Sequence, residues 1–163
     1  VLDIFMAFPG LLLAIAVVAI LGPSIPNLVI TIAVLYTPGM VRIVRGSVLS
    51  IKQWEFIDAA RVIGGTDLRI VSRHVLPNVL SPAIVQVTLN VSKAIITESA
   101  LSYLGLGAPP PAPSWGQMLS ASRWFLTTAP WYALFPGLAI VFSTTTFIVT
   151  GNGLRDWLDP RRR

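Results

Sequence analysis

The sequence predicts an all-α, polytopic bundle of membrane-spanning helices. Three observations carry that expectation. Of the 163 residues, 54% are hydrophobic and only 12% charged, whereas an ordinary soluble domain carries about 25% charged residues. Mean hydropathy is +0.74. The charge is also gathered rather than spread: all but two of the 12 Lys and Arg residues fall within 42–73 and 155–163. Cytoplasmic loops of membrane proteins collect Lys and Arg in this way. The net charge of +5 therefore reads as topology. It does not read as a nucleic-acid surface, because no basic face with interleaved aromatics remains once the spans are assigned.

The first apolar run, 4–21, is long enough to approach the roughly 20 residues that a span needs, with Pro9-Gly10 expected to kink it. Gly22-Pro23-Ser24-Ile25-Pro26-Asn27 reads as a tight turn. A second span covers 28–41, short and interrupted at Pro38-Gly39, with Arg42 and Arg45 as stops on the positive side. A polar island follows over 42–77. There Ser50-Ile-Lys-Gln53 fits a capping box, and Phe56, Ala59, Ala60 and Ile63 recur at helical spacing. Gly64-Gly65 ends that helix, Thr66-Asp67 caps a second one, and Pro77 is expected to break the chain. The island is a helix, a turn and a helix.

Ser81-Pro82 is the expected start of the third span, 82–104, which holds the polar residues Asn90 and Lys93. Gly105 to Pro113 is too rich in Gly and Pro for regular helix. Trp115, Trp124 and Trp131 suit a membrane–water boundary, so 105–128 is assigned outside. The fourth span is 131–149, ended by Gly151-Asn152-Gly153. Four spans place the island and the C-terminal arginines on one side. The chain opens at Val1 without Met, a basic leader or a cleavage site, and reads as a single domain over 1–163 whose N-terminal part is missing.

The sequence offers little for chemistry of its own. It has no Gly-rich phosphate loop of the Gly-x-x-x-x-Gly-Lys type, so nucleotide-driven work would need another chain. The only histidine, His74, has no acid or nucleophile beside it and suits packing better than catalysis. There is no cysteine, and the acids form no ligand-spaced cluster. No catalytic, metal or cofactor residues are assigned. For Lys93 and Glu98 two readings stand. An intramembrane cation is by default functional and would line a translocation path. Alternatively, Lys93 snorkels to an interface and Glu98 marks the aqueous end of its helix.

The island is the strongest signal. Ala59 and Ala60 allow close approach, while Glu55 and Asp58 suit a helix N-terminus. The pattern Asp58-Ala59-Ala60, then Gly64, then Leu76-Pro77 resembles the signature loop of ABC-type import permeases. Asp58 stands where Glu is usual, and His74 where an aliphatic residue is usual. Arg73-His74-Val75-Leu76-Pro77-Asn78 is similar to the peptide and nickel subgroup. So are Phe8-Pro9-Gly10, the segment from Glu98 to Gly107, Pro113-Ser-Trp-Gly116, Ala129-Pro130-Trp131, Phe135-Pro136-Gly137 and the segment from Gly153 to Pro160.

The resemblance implies a bacterial inner-membrane permease subunit of a binding-protein-dependent ABC importer for di- or oligopeptides. The island and C-terminus would be cytoplasmic. The implied partners are ATPase subunits, which would hold the ATP, a second permease subunit as homo- or heterodimer, and a periplasmic or lipid-anchored solute-binding protein. The loop 55–77 would dock on the ATPase. Phe56, Ala59, Ala60 and Ile63 would make the apolar contact, and Glu55, Asp58 and Arg61 its polar rim. Gly64 would set the angle, and Leu76-Pro77 would close the motif. Asn90, Lys93 and Glu98 are candidates for the path. The alternatives are a permease for nickel or another small solute, or a non-ABC channel or assembly subunit.

Overall fold

In the computed structural model, which describes residues 9–158, the chain is helical throughout its regular elements. Helix α1 spans Gly10–Leu21 and α2 spans Ile25–Ile51; two short helices, α3 (Glu55–Val62) and α4 (Asp67–Ile70), follow. A π-helical turn over Val71–Val75 leads without a break into α5, Leu76–Tyr103. Helix α6 (Trp115–Ser122) and a 3-10 turn (Arg123–Phe125) precede α7, Trp131–Leu158. Three stretches, Ile25–Ile51, Asp67–Tyr103 and Trp131–Trp157, are long and apolar enough to cross a membrane. The first expected span begins in residues that lie outside the described ones, and its described part is the 12-residue α1.

Local chemistry sets the first corner. Ser24 caps α2 by accepting the Asn27 amide at 3.2 Å. The Asn27 side chain donates back to the carbonyls of Leu21 and Gly22 at 2.7 and 2.9 Å, tying α1 to α2. A buried cluster of Ala14, Val18, Leu28 and Leu101 then fixes α1 and α2 against the far end of α5. Helix α5 is the central member, packing on α7, α2 and α6. The Ser92 hydroxyl donates to the Thr144 carbonyl at 3.1 Å between α5 and α7. Between α2 and α5, Tyr36 donates to the Lys93 carbonyl at 3.2 Å and sits 2.7 Å from the Thr97 hydroxyl.

The helices outrun several expected boundaries, for one physical reason. Pro38, Pro82 and Pro136 all lie inside helices. Pro77 sits in the first turn of α5, where its missing N–H is tolerated, and the π turn before it absorbs the ring. An interior proline forfeits one backbone bond. Unwinding the helix in hydrocarbon would orphan several polar groups, each at a cost of several kcal/mol. Ser81-Pro82 is therefore not a start, and Ser50 is not a cap: it lies in the last turn of α2, and Trp54 precedes α3 without any side-chain cap bond. Nor does Gly151-Asn152-Gly153 end α7. A Cβ on Gly151 would lie 3.3 Å from the Leu89 side chain, so this glycine serves the close crossing of α7 over α5.

Candidate partner-docking site and the polar residues of the spans

The polar island folds as a unit with its own apolar centre. Ile51 from α2, Ile57 from α3, Ile70 from α4, Val75 from the π turn and Val79 from α5 are all buried together. Val44, Val48 and Ala60 pack around them. Helix α3 forms where Glu55 and Asp58 occupy the first turn and Arg61 the last, an order that suits the helix dipole. Asp58 and Arg61 approach to 4.0 Å on the exposed face, where such a pair contributes little.

The turn between α3 and α4 needs both glycines, for different reasons. Gly64 has φ +84°, the left-handed region that side chains avoid, with open space around its Cα. Gly65 donates to the Ala60 carbonyl at 2.9 Å, and a Cβ there would come within 2.6 Å of that same oxygen. Trp54 meets Phe56 edge to face with ring centroids 5.5 Å apart, and Phe56 meets His74 at a tilt with centroids 5.8 Å apart. His74 thus packs on Phe56.

The sequence-derived docking residues divide into two sets. Glu55, Phe56, Asp58, Ala59, Arg61, Ile63, Gly64, Leu76 and Pro77 are exposed, whereas Ala60 is half-buried against the unit's core. The buried anchor is Ile57, which sequence reasoning passed over. Its signal was the i, i+3 spacing to Ala60, which the stripe of Phe56, Ala59, Ala60 and Ile63 already contains. Val62 and Leu68 were missed as well. Within the unit 51–79, Val62, Leu68 and Ile63 are the most exposed large apolar side chains, at 86%, 81% and 86%. Three exposed apolar side chains at one turn of an ordered unit form a patch of the kind that interaction surfaces carry.

The three polar candidates in the spans do not converge. Asn90 accepts a hydrogen bond from the Gln86 amide at 2.8 Å, one turn away. Lys93 is exposed and makes no ion pair with Glu98. The Glu98 carboxylate is held elsewhere. Its Oε1 accepts from the Ser102 hydroxyl at 2.6 Å and from the Ser114 hydroxyl at 2.9 Å. Ser114 in turn accepts the Gly116 amide at 3.2 Å and so caps α6. Helix α6 lies so close to α5 that a Cβ on Gly116 would collide with the Ser99 carbonyl. Glu98 therefore pins the segment 105–122 to the end of α5.

The family model for the binding-protein-dependent transport system inner membrane component matches residues 1–163. The chain is 50% identical over 163 residues to the dipeptide transport system permease protein DppC of Alkalihalophilus pseudofirmus, covering 100% of this chain and 54% of that protein. It is 48% identical over 159 residues to the glutathione transport system permease protein GsiD of Escherichia coli and of Shigella flexneri, covering 98% of this chain and 52% of those proteins. The chain thus spans about half the length of the curated relatives that it matches.

Proposed function

From the premise that this chain belongs to the family of binding-protein-dependent transport system inner membrane components, we propose that it is part of a peptide-importing permease of a bacterial inner membrane. Dipeptide and glutathione permeases among its relatives support a peptide cargo. Its spans contribute to the translocation path, paired with a second permease subunit. The energy comes from ATPase subunits, which hold the nucleotide, and a solute-binding protein delivers the cargo to the side of 105–128. The docking unit and the C-terminus face the cytoplasm, in line with the clustering of Lys and Arg.

The observation that carries this reading is the exposed apolar cap, Val62, Ile63 and Leu68, on a unit whose core includes residues of α2 and α5. An ATPase subunit seated on that cap can move the spans as rigid bodies, because Ile51, Val75 and Val79 join the unit directly to them. Phe56, Ala59 and Ile63 make the apolar contact, Glu55, Asp58 and Arg61 rim it, and Ala60 holds α3 to the unit's core. The test is capture of the ATPase subunit by the assembled permease. Ala59→Glu, on the exposed face, is expected to abolish capture while membrane insertion persists. Gly64→Leu is expected to leave the complex assembled and uncouple ATP hydrolysis from transport. Normal capture and coupling in both variants would remove the docking role from this loop.

A further inference from the structure

Beside the docking unit, α2, α5 and α7 enclose a cleft of about 790 Å³. Its wall runs from Ser47, Ser50 and Trp54 across Asn78 and Gln86 to Arg155 near the end of α7. Among the described residues that line it there is no Asp or Glu. The Asn78 and Gln86 amides donate to the His74 carbonyl and to Asn90, respectively. Among the described residues that line the wall, the Arg155 guanidinium is the only formal charge. A cavity of this composition attracts an anion, and a carboxylate suits a planar guanidinium best because two parallel hydrogen bonds form at once.

The cleft is also not isolated along the helix. Gln86 lines it and bonds to Asn90 one turn further, and Lys93 follows at i+7 from Gln86. Residues four and seven apart share one helix face, so a polar row runs from the cleft into the apolar part of α5 and ends on a second cation. A lipid headgroup pocket would not need such a row. A solute that crosses the membrane would.

We propose that this cleft is an anion site that receives the terminal carboxylate of a peptide cargo, with Arg155 as its charged anchor. The proposal rests on the reading of the chain as part of a peptide path, and it adds a residue that discriminates free peptides from carboxyl-blocked ones. The Ser50 hydroxyl stands on the facing helix as a secondary partner, whereas the Ser47 hydroxyl donates to the Ile43 carbonyl at 3.0 Å.

The chain has no cysteine, which permits a direct test in the assembled importer in lipid nanodiscs with cysteine-free partner subunits. Ser50→Cys places a thiol in the cleft. An anionic methanethiosulfonate is expected to label it faster than a cationic one. Arg155→Gln should remove that preference, and Arg155→Lys should keep it. A dipeptide with a free carboxylate should slow labelling roughly tenfold, the scale of a charge-assisted hydrogen-bond pair, and its C-terminal amide should not. Equal protection by the two peptides, or protection that survives Arg155→Gln, would overturn the proposal. Protection that follows phosphatidylglycerol content rather than peptide would assign the cleft to a lipid headgroup instead. An importer that moves no peptide, yet keeps the Arg155-dependent reagent preference, would sink the cargo reading and leave the anion site standing.

Discussion

At the scale of single residues, the two glycines of the α3–α4 turn separate two kinds of constraint. Within this chain Gly64 is constrained only by its backbone angle, so the small methyl of Gly64→Ala costs about 1–2 kcal/mol and meets no neighbour. Gly65→Ala forces a methyl group onto the Ala60 carbonyl oxygen and must shift the backbone that shapes the exposed cap. ATPase capture is expected to fall at least several-fold in Gly65→Ala and to stay within twofold in Gly64→Ala. The signature pattern draws the eye to Gly64, and the closer steric limit lies one position on. Glu98 teaches the opposite lesson. By sequence it is an acid near the end of a span and a candidate for the path; in the fold, two serine hydroxyls share one of its oxygens. Removing the acceptor in Glu98→Ala should loosen 105–122 by about 2–3 kcal/mol, the range for hydrogen bonds to a charged group. Hydrogen exchange of the α6 amides reads this loosening. Glu98→Gln keeps an acceptor and should lose much less. A Gln variant as loose as the Ala variant would rule out the clamp.

At the scale of elements, the class of the fold was legible and the helix ends were not. Long uncharged runs announce membrane helices because burying ionised groups in hydrocarbon is prohibitive. The rules by which proline and glycine end a helix hold in water, where an unwound turn can bond to solvent. Inside a bilayer that alternative is missing, so α2, α5 and α7 continue through Pro38, Pro82 and Pro136. The island was legible as helix, turn and helix because Glu55, Asp58 and Gly64-Gly65 are local signals. Its core was not, because Ile57 meets Ile51, Ile70 and Val79 only through tertiary contact. Ile57→Ala opens a cavity in that core and should cost about 2–5 kcal/mol. Trypsin would then cut faster at Arg61 and Arg69, which flank the turn, while cleavage near the C-terminus stays unchanged. Unaltered cleavage at the turn would mean that the unit does not depend on this core.

At the scale of the whole molecule, Asp67–Tyr103 is one helical stretch of 37 residues, about 55 Å at 1.5 Å per residue. The hydrocarbon core is roughly 30 Å thick, so the rod extends beyond it. One end carries Ile70, Val75 and Val79 of the docking unit's core. The other carries Glu98 and Ser102, which hold the 105–122 segment. A tilt imposed at either end is felt at the other only if the rod keeps its contacts with the other spans. The tightest glycine contact between α5 and α7 is Gly151 against Leu89 and Thr88, with 3.3 Å left for a Cβ. A leucine there must push the Leu89 and Thr88 side chains aside, and overpacking of this kind costs about 1–3 kcal/mol. Gly151→Leu is therefore expected to lower the apparent melting midpoint of the purified complex by several degrees and to weaken the coupling of ATP hydrolysis to transport. Gly153→Leu, two residues along the same helix, is the matched control, because nothing lies within 4 Å of its added Cβ. Equal melting points in the two variants would show that the α5–α7 crossing is loose, and a loose crossing could not carry the motion proposed to run from the α3–α4 unit to the spans.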